Sequence, residues 1–231
     1  MKVRKDQTLL IDADDTLWQN NIYFEQSIEA FIDYLDHSSL SRSEIRAVLD
    51  EIETANSASH GYGSAGFTKN LRQCFEHLVE REIDDGELAT VMGFGQQILS
   101  QDIVLLDGVA DTLRELSMRH ELVMFTKGHA EEQQMKIDRS GLDVHFVETI
   151  IVPEKDAASY ELVMSSRACD VGDSWMIGNS PKSDINPALA IGMNAVFIPH
   201  DHTWSLEQKR IEPGRGQLLE LTAFSELLNH F

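Results

Sequence analysis

The chain has 231 residues, of which 42% are hydrophobic and 25% charged, which excludes a disordered or collagen-like chain. Nineteen Lys and Arg face 39 Asp and Glu, a formal net charge of −20. A surface that acidic repels phosphate backbones and anionic headgroups, so neither nucleic acid nor a membrane surface is an expected partner. A small anionic substrate stays open, because local wells of positive potential form on acidic proteins. Cys74 and Cys169 lie far apart and form no CxxC, which fits a reduced, cytoplasmic compartment better than a disulfide framework. No apolar run is long enough to cross a membrane. The stretch Leu9-Leu10-Ile11 after the basic start is too short for a secretory segment.

The first apolar run, Thr8 to Ile11, reads as a buried strand ending at Asp12. From about Tyr23 to Gln101 the spacing turns helical. Phe24, Ile28, Phe31, Ile32 and Leu35 share one face, and about three more amphipathic helices follow. Ser41 or Ser43, and Asp84 or Asp85, suit the N-caps. After Asp107-Gly108 strands and helices alternate. A helix over Val109–Arg119 leads to the strand Leu122–Phe125. A helix over about Ala130–Arg139 stops at Ser140-Gly141. An apolar stretch (Val144–Val152), a helix (about Ala157–Arg167), the strand Trp175–Ile177, a short helix (Ile185–Ile191) and the strand Ala195–Ile198 complete the series.

That alternation predicts an α/β fold with a Rossmann-like, doubly wound parallel sheet, interrupted by an all-helical insert. The boundaries read as residues 1–18 with 104–231 for the core and 19–103 for the insert. The insert holds 5 Lys and Arg against 15 Asp and Glu, so it carries half of the net charge.

Ligands of open α/β sheets bind beyond the carboxyl ends of the strands. Asp12-Ala13-Asp14-Asp15-Thr16 follows the first strand and Thr126-Lys127-Gly128 the second. Lys155 stands after the third apolar stretch. Gly178-Asn179-Ser180-Pro181-Lys182-Ser183-Asp184 follows the next strand. Singly, each of these carboxylates reads as a turn or cap residue. Together they suit phosphoryl transfer through a covalent intermediate. Asp12 would attack phosphorus to form an acyl phosphate that water later hydrolyses. Asp14 suits the general acid for the leaving group and then the base for water. Lys155 would hold Asp12 and phosphate together, and Thr126 with nearby backbone N–H groups would bind phosphate oxygens. The mutual repulsion of carboxylate and phosphate calls for a hard cation. Asp12, Asp184, Asn179 and the Asp14 backbone carbonyl are oxygen donors of the kind Mg²⁺ takes.

The four stretches LLIDADDT, LVMFT, Lys155 and IGNSPKSD resemble, in order and spacing, the motifs of the haloacid dehalogenase-like hydrolase superfamily. The resemblance covers the whole chain and implies a Rossmann-like core, Mg²⁺, an aspartyl-phosphate intermediate and a type-1 helical cap. Two positions depart from the pattern. Asn179 stands where an acidic residue is common, and Lys127 where Asn is frequent. Lys127 is expected to attract the anionic substrate, or to serve through its backbone more than its charge.

Within the insert, His60 to Lys69 contains three glycines and reads as a specificity loop, with Tyr62, Phe67 and Lys69 contacting the leaving group. Trp18, Asn20 and Asn21 read as a hinge, and His200-Asp201-His202 as a surface loop. The expected activity is a phosphatase acting on a small phosphomonoester. A phosphomutase, a phosphonate hydrolase using Lys69, a dehalogenase and a non-catalytic module are the alternatives. Asp14 argues against the dehalogenase, which would lack that second aspartate.

Overall fold

The computed structural model describes Arg4, residues 6–167 and residues 169–231, without the side chains of residues 57–60. It divides into two compact units, residues 1–21 with 103–231 and residues 22–102.

The first unit is built on a six-stranded parallel sheet of order β3-β2-β1-β4-β5-β6. Its strands are β1 (Thr8–Ile11), β2 (Glu121–Lys127), β3 (Glu148–Val152), β4 (Ser174–Gly178), β5 (Asn194–Phe197) and β6 (Leu218–Glu220). β1 pairs with both β2 and β4, so Leu10 lies beside Val123 on one flank and Met176 on the other. Helices cover both faces of such a sheet, and its central strands read as continuous apolar runs. Leu9, Ile11, Met124 and Ile177 pack on one face; Leu10, Val123, Phe125 and Met176 pack on the other. From β1 the chain builds outward through β2 to β3, then crosses back to β4 on the opposite flank of β1. The gap beside β1 is therefore a topological switch point, where α/β sheets place their ligands.

Two elements differ from the reading. β6 was not expected: its three residues, Leu-Leu-Glu, show no alternation, and its place comes from pairing with β5. The stretch from Val144 is a 3₁₀ turn (Asp143–His145) before β3 begins at Glu148.

The second unit holds most of α1 (Asn21–Leu35), then α2 (Arg42–His60), α3 (Ser64–Leu78) and α4 (Asp85–Gln96). Ser41 and Asp84 are the N-caps. Each forms a capping box with the glutamate three residues on, Glu44 and Glu87, satisfying backbone N–H groups at each end. Phe31, Leu35, Leu49, Leu71, Phe75 and Val91 fill its core. The expected loop from His60 to Lys69 is instead a three-residue turn. α2 runs to His60, Gly61 and Gly63 take positive φ (69° and 102°), and α3 starts at Ser64. Two of the glycines supply the left-handed backbone that ends one helix and starts the next, and the third lies inside α3. The side chain of His60 lies outside the described residues.

The core unit continues with α5 (Val109–Ser117), α6 (Ala130–Ser140), α7 (Ala157–Arg167) and α8 (Asn186–Ile191). Gly141, in the left-handed conformation, ends α6 as expected.

Candidate active site

Asp12 follows β1 directly, and its N–H donates to the Ile177 carbonyl of β4 (2.9 Å), so the sheet ladder itself fixes the residue. Thr126 is the penultimate residue of β2, Lys155 follows β3, and Asn179 follows β4. Parallel register brings these strand ends to one edge. Lys155 Nζ donates to Asp12 Oδ1 (2.6 Å) and to Asp184 Oδ1 (2.8 Å). All three residues are buried. Burial and the charge of Asp184 push the Asp12 carboxyl above its usual range, against the pull of Lys155. Burial works against the Lys155 ammonium, but Asp12 and Asp184 outweigh it and hold it charged.

Asp184 sits in a wide helical turn, Pro181–Ile185, begun by Ser180. Its Oδ2 accepts from the Ser180 N–H (2.9 Å). Gly178 makes room for it: a Cβ there would run into the Asp184 carboxylate. The buried Tyr160 hydroxyl donates to the Ser183 and Asp184 carbonyls (2.9 and 3.2 Å), fixing the turn from α7. Thr16 Oγ1 donates to Asp12 Oδ2 (3.0 Å) and reaches Asn179 Oδ1 (3.3 Å). Thr16 therefore bonds the nucleophile candidate itself, beyond the loop that carries it. Asn179 in turn donates to Thr203 Oγ1 (3.0 Å).

Asp14 lies two residues past Asp12, and its carboxylate takes donors from two elements. Trp18 Nε1 (2.8 Å) comes from its own loop; Lys136 Nζ (2.6 and 2.7 Å) and Gln133 Nε2 (3.1 Å) come from α6. Asp15 turns inward at φ 59° and accepts from the Asn20 and Asn21 amides (2.8 and 3.1 Å). Burial nonetheless pushes it up to about 7. It is a turn residue, as expected. Trp18 is wholly buried, and its place in the core unit fits packing better than a hinge.

The expected role of the Lys127 charge requires a correction. Its ammonium donates to Glu207 (2.6 Å) and Ser183 (2.8 Å), with Glu154 at 3.5 Å, instead of standing free to attract an anion. Glu207 also accepts from Ser180 Oγ (2.6 Å) and from Ser183 Oγ. Burial would raise Glu207, but Lys127 and the two serines pull it down to about 2. Thr126, one residue earlier, is buried and accepts from Gln133 Nε2 (2.7 Å). Gly128 has φ 146°, a conformation suited to glycine.

The insert residues divide as well. Phe67 is a second correction: it is buried in the helical unit's own core, edge-on to Phe24 with ring centroids 5.1 Å apart. Lys69 is exposed on α3, and Tyr62 is half-buried in the turn before it. Both cysteines are free, and burial pushes the Cys74 thiol up to about 12, which suits packing and not nucleophilic chemistry. His200 and His202 lie in the loop after β5, with His200 Nδ1 3.7 Å from Asp15.

The oxygen set fits a hard cation. Among the described residues no group of three or more His, Cys, Asp or Glu side chains is arranged to hold a metal. The donors brought together here are instead two carboxylates, Asp12 and Asp184, joined by Lys155, with the Asn179 amide oxygen linked to Asp12 through Thr16. Two buried carboxylates sharing a single lysine leave negative charge that a hard cation would balance, and oxygen donors are what Mg²⁺ takes.

Sequence reasoning missed Lys136, Gln133 and Glu207. Gln133 and Lys136 stand three apart, on one face of the helix after Thr126, which was the available signal. Glu207 lies 80 residues from Lys127, and nothing local marks it.

A carboxylate, a buried threonine, a lysine and a second carboxylate at four strand ends of a parallel sheet define an α/β enzyme of Rossmann-like fold. The chain belongs to the haloacid dehalogenase-like hydrolase family, whose model matches residues 7–192. No curated protein matches it. Among solved structures, it is similar to a haloacid dehalogenase-like family hydrolase from Xanthomonas campestris, at 27% identity and TM-score 0.84, over 99% of this chain and 92% of that one. A predicted phosphoglycolate phosphatase from Haemophilus somnus is 15% identical (TM-score 0.65, 99% of each chain). An L-2-haloacid dehalogenase from Xanthobacter autotrophicus is also 15% identical (TM-score 0.61, 97% of each chain). The last two likenesses concern the fold alone. Among the described residues no helix is long and apolar enough to cross a membrane.

Proposed function

We propose that the chain is a Mg²⁺-dependent phosphatase that hydrolyses a small phosphomonoester through an aspartyl phosphate on Asp12. The observation that carries the reading is the buried Asp12–Lys155–Asp184 bridge, with Asp14 presented from the same strand end. Asp12 attacks phosphorus while the bond to the ester oxygen breaks. That oxygen leaves as an alcohol, with the proton of the Asp14 carboxyl. Water then attacks phosphorus and gives a proton back to Asp14, releasing inorganic phosphate and free Asp12. Lys155 holds its charge between the carboxylates, where the phosphate's negative charge must enter. The Thr126 hydroxyl donates to a phosphate oxygen, because Gln133 fills only its acceptor side. Asp12, Asp184, Asn179 and the Asp14 carbonyl would hold Mg²⁺, which supplies charge neutralisation between carboxylate and phosphate.

Asp14 weighs against the dehalogenase alternative, which has no leaving alkoxide to protonate. Tyr62 and Lys69 of the helical insert are the residues to vary in a test of substrate choice. The free cysteines favour the cytoplasm as the working compartment.

The test is phosphate release from p-nitrophenyl phosphate with Mg²⁺, with EDTA, and with Asp12→Asn. Both EDTA and the substitution should abolish turnover. Turnover indifferent to both would sink the reading.

A further inference from the structure

Asp14 can act only if its carboxyl is aimed at the ester oxygen and later at water. A carboxyl two bonds from the backbone rotates freely unless it is held, and proton transfer needs hydrogen-bond distance. We propose that Lys136, assisted by Gln133, is the positioning residue that aims Asp14 for proton transfer. The inference rests on the phosphatase reading above.

The Lys136 ammonium straddles the carboxylate, at 2.7 Å from Oδ1 and 2.6 Å from Oδ2. A two-point contact of this kind sets the plane of the carboxyl as well as its position. Trp18 Nε1 also donates to Oδ1 at 2.8 Å, and Asn20 Oδ1 takes a further Lys136 hydrogen at 3.1 Å. Lys136 is the deeper partner: its side chain keeps 12% of its surface, while that of Asp14 keeps 24%. Asp14 is thus the more exposed member of the pair.

Gln133 extends the device. Its Nε2 reaches Asp14 Oδ2 (3.1 Å), Thr126 Oγ1 (2.7 Å) and the Lys127 carbonyl (2.9 Å). Its Oε1 is buried and has no hydrogen-bond partner among the described residues. The amide is therefore placed by what its NH₂ group donates to. One face of α6 carries both residues, and α6 starts two residues after Gly128. The same helix sets the acid–base carboxyl and the threonine meant for phosphate at a fixed separation. A structural ion pair would need neither the contact to Thr126 nor an acceptor left unpaired.

The consequence is selective. The first step transfers phosphorus to Asp12 and, for a poor leaving group, needs the Asp14 proton. A p-nitrophenolate leaves as a stable anion and needs that proton least. A phenolate needs it more. Because kcat/KM reports the passage through the first irreversible step, the two esters separate aim from the rest of catalysis. Lys136→Ala should raise the ratio of kcat/KM for p-nitrophenyl phosphate over phenyl phosphate about tenfold, a fraction of the full general-acid effect. KM should move less than kcat. Lys136→Arg, which keeps a two-point donor, should return the ratio to within about threefold of the parent. Gln133→Leu should raise it about threefold, and it decides the matter if Lys136→Ala does not fold.

A parent enzyme active on both esters whose ratio is unmoved by Lys136→Ala, or by Gln133→Leu where that variant decides, overturns this proposal alone. A parent inactive on both, or an Asp12→Asn variant as active as the parent, overturns the phosphatase reading and this proposal with it.

Discussion

Two lysines stand at neighbouring strand ends of one sheet and meet opposite fates. Lys155, after β3, is shared between Asp12 and Asp184, and Asp12 is held above its usual range. Lys127, at the end of β2, is matched to Glu207, whose carboxyl is pulled down to about 2. The first cluster has more buried negative charge than its lysine neutralises; the second is closed, with two serines and a second lysine, Lys182 at 3.4 Å, completing the shell of Glu207. An under-neutralised cluster is suited to receive a cation and an anion together. A closed one is suited to hold a loop still. Glu207 does that for Ser180–Ile185, the turn that delivers Asp184.

The largest expected effect breaks the first cluster. Lys155→Ala should lower phosphate release about a hundred- to thousandfold, as loss of a buried electrostatic donor does. In metal-free protein it should also cost about 3–5 kcal/mol, because two buried carboxylates then face each other. Thermal unfolding with and without Mg²⁺ checks this. A variant as stable as the parent without metal would mean that Lys155 is not holding the carboxylates apart.

The second cluster should show in acid. The folded pKa of Glu207 is depressed, so its contribution is fully present above the ordinary value of 4.5 and disappears as pH falls toward about 2. The difference corresponds to about 3 kcal/mol. Urea midpoints between pH 6 and pH 2 should fall less steeply in Glu207→Gln than in the parent. Equal slopes would remove Glu207 from the account of acid unfolding.

Gly178→Ala connects the two clusters with a smaller effect. The added methyl meets the Asp184 carboxylate, so either the turn or the strand end must shift. A cost of about 1–3 kcal/mol is expected, as for other overpacked sites. Half-saturating Mg²⁺ should rise with it. A Mg²⁺ titration that overlays the parent would show that Asp184 is not a ligand.

Much of this arrangement was legible in the sequence. β1 is a short apolar run followed directly by Asp12, and β2, β3 and β4 likewise end close to Thr126, Lys155 and Asn179. Strand ends are local features, and parallel register then does the assembling. What was illegible is long-range or compensatory. Lys127 looked like a bait for anions because its partner Glu207 lies in a loop with no pattern of its own. Lys136 is 122 residues from Asp14. Phe67 sat among glycines and read as loop, but Gly61 and Gly63 occupy the turn and leave Phe67 free to enter the helical core. In each case the pairing that decides the role forms only in the folded chain.

The smallest expected effect separates the two lysines most sharply. If Lys127 served the substrate, its removal would raise KM for any phosphate ester. If it serves Glu207, its removal leaves a buried carboxylate with only the more distant Lys182 and destabilises the fold instead, and removing both charges should undo most of that damage. Lys127→Met should therefore lower the melting temperature, and the double variant Lys127→Met/Glu207→Gln should recover part of it. The KM for p-nitrophenyl phosphate should stay within about twofold in the double variant, since under this reading neither side chain contacts the substrate and no uniform binding is lost. A KM that rises tenfold in the double variant, with the fold restored, would return Lys127 to the substrate and leave Glu207 as the residue that aims it.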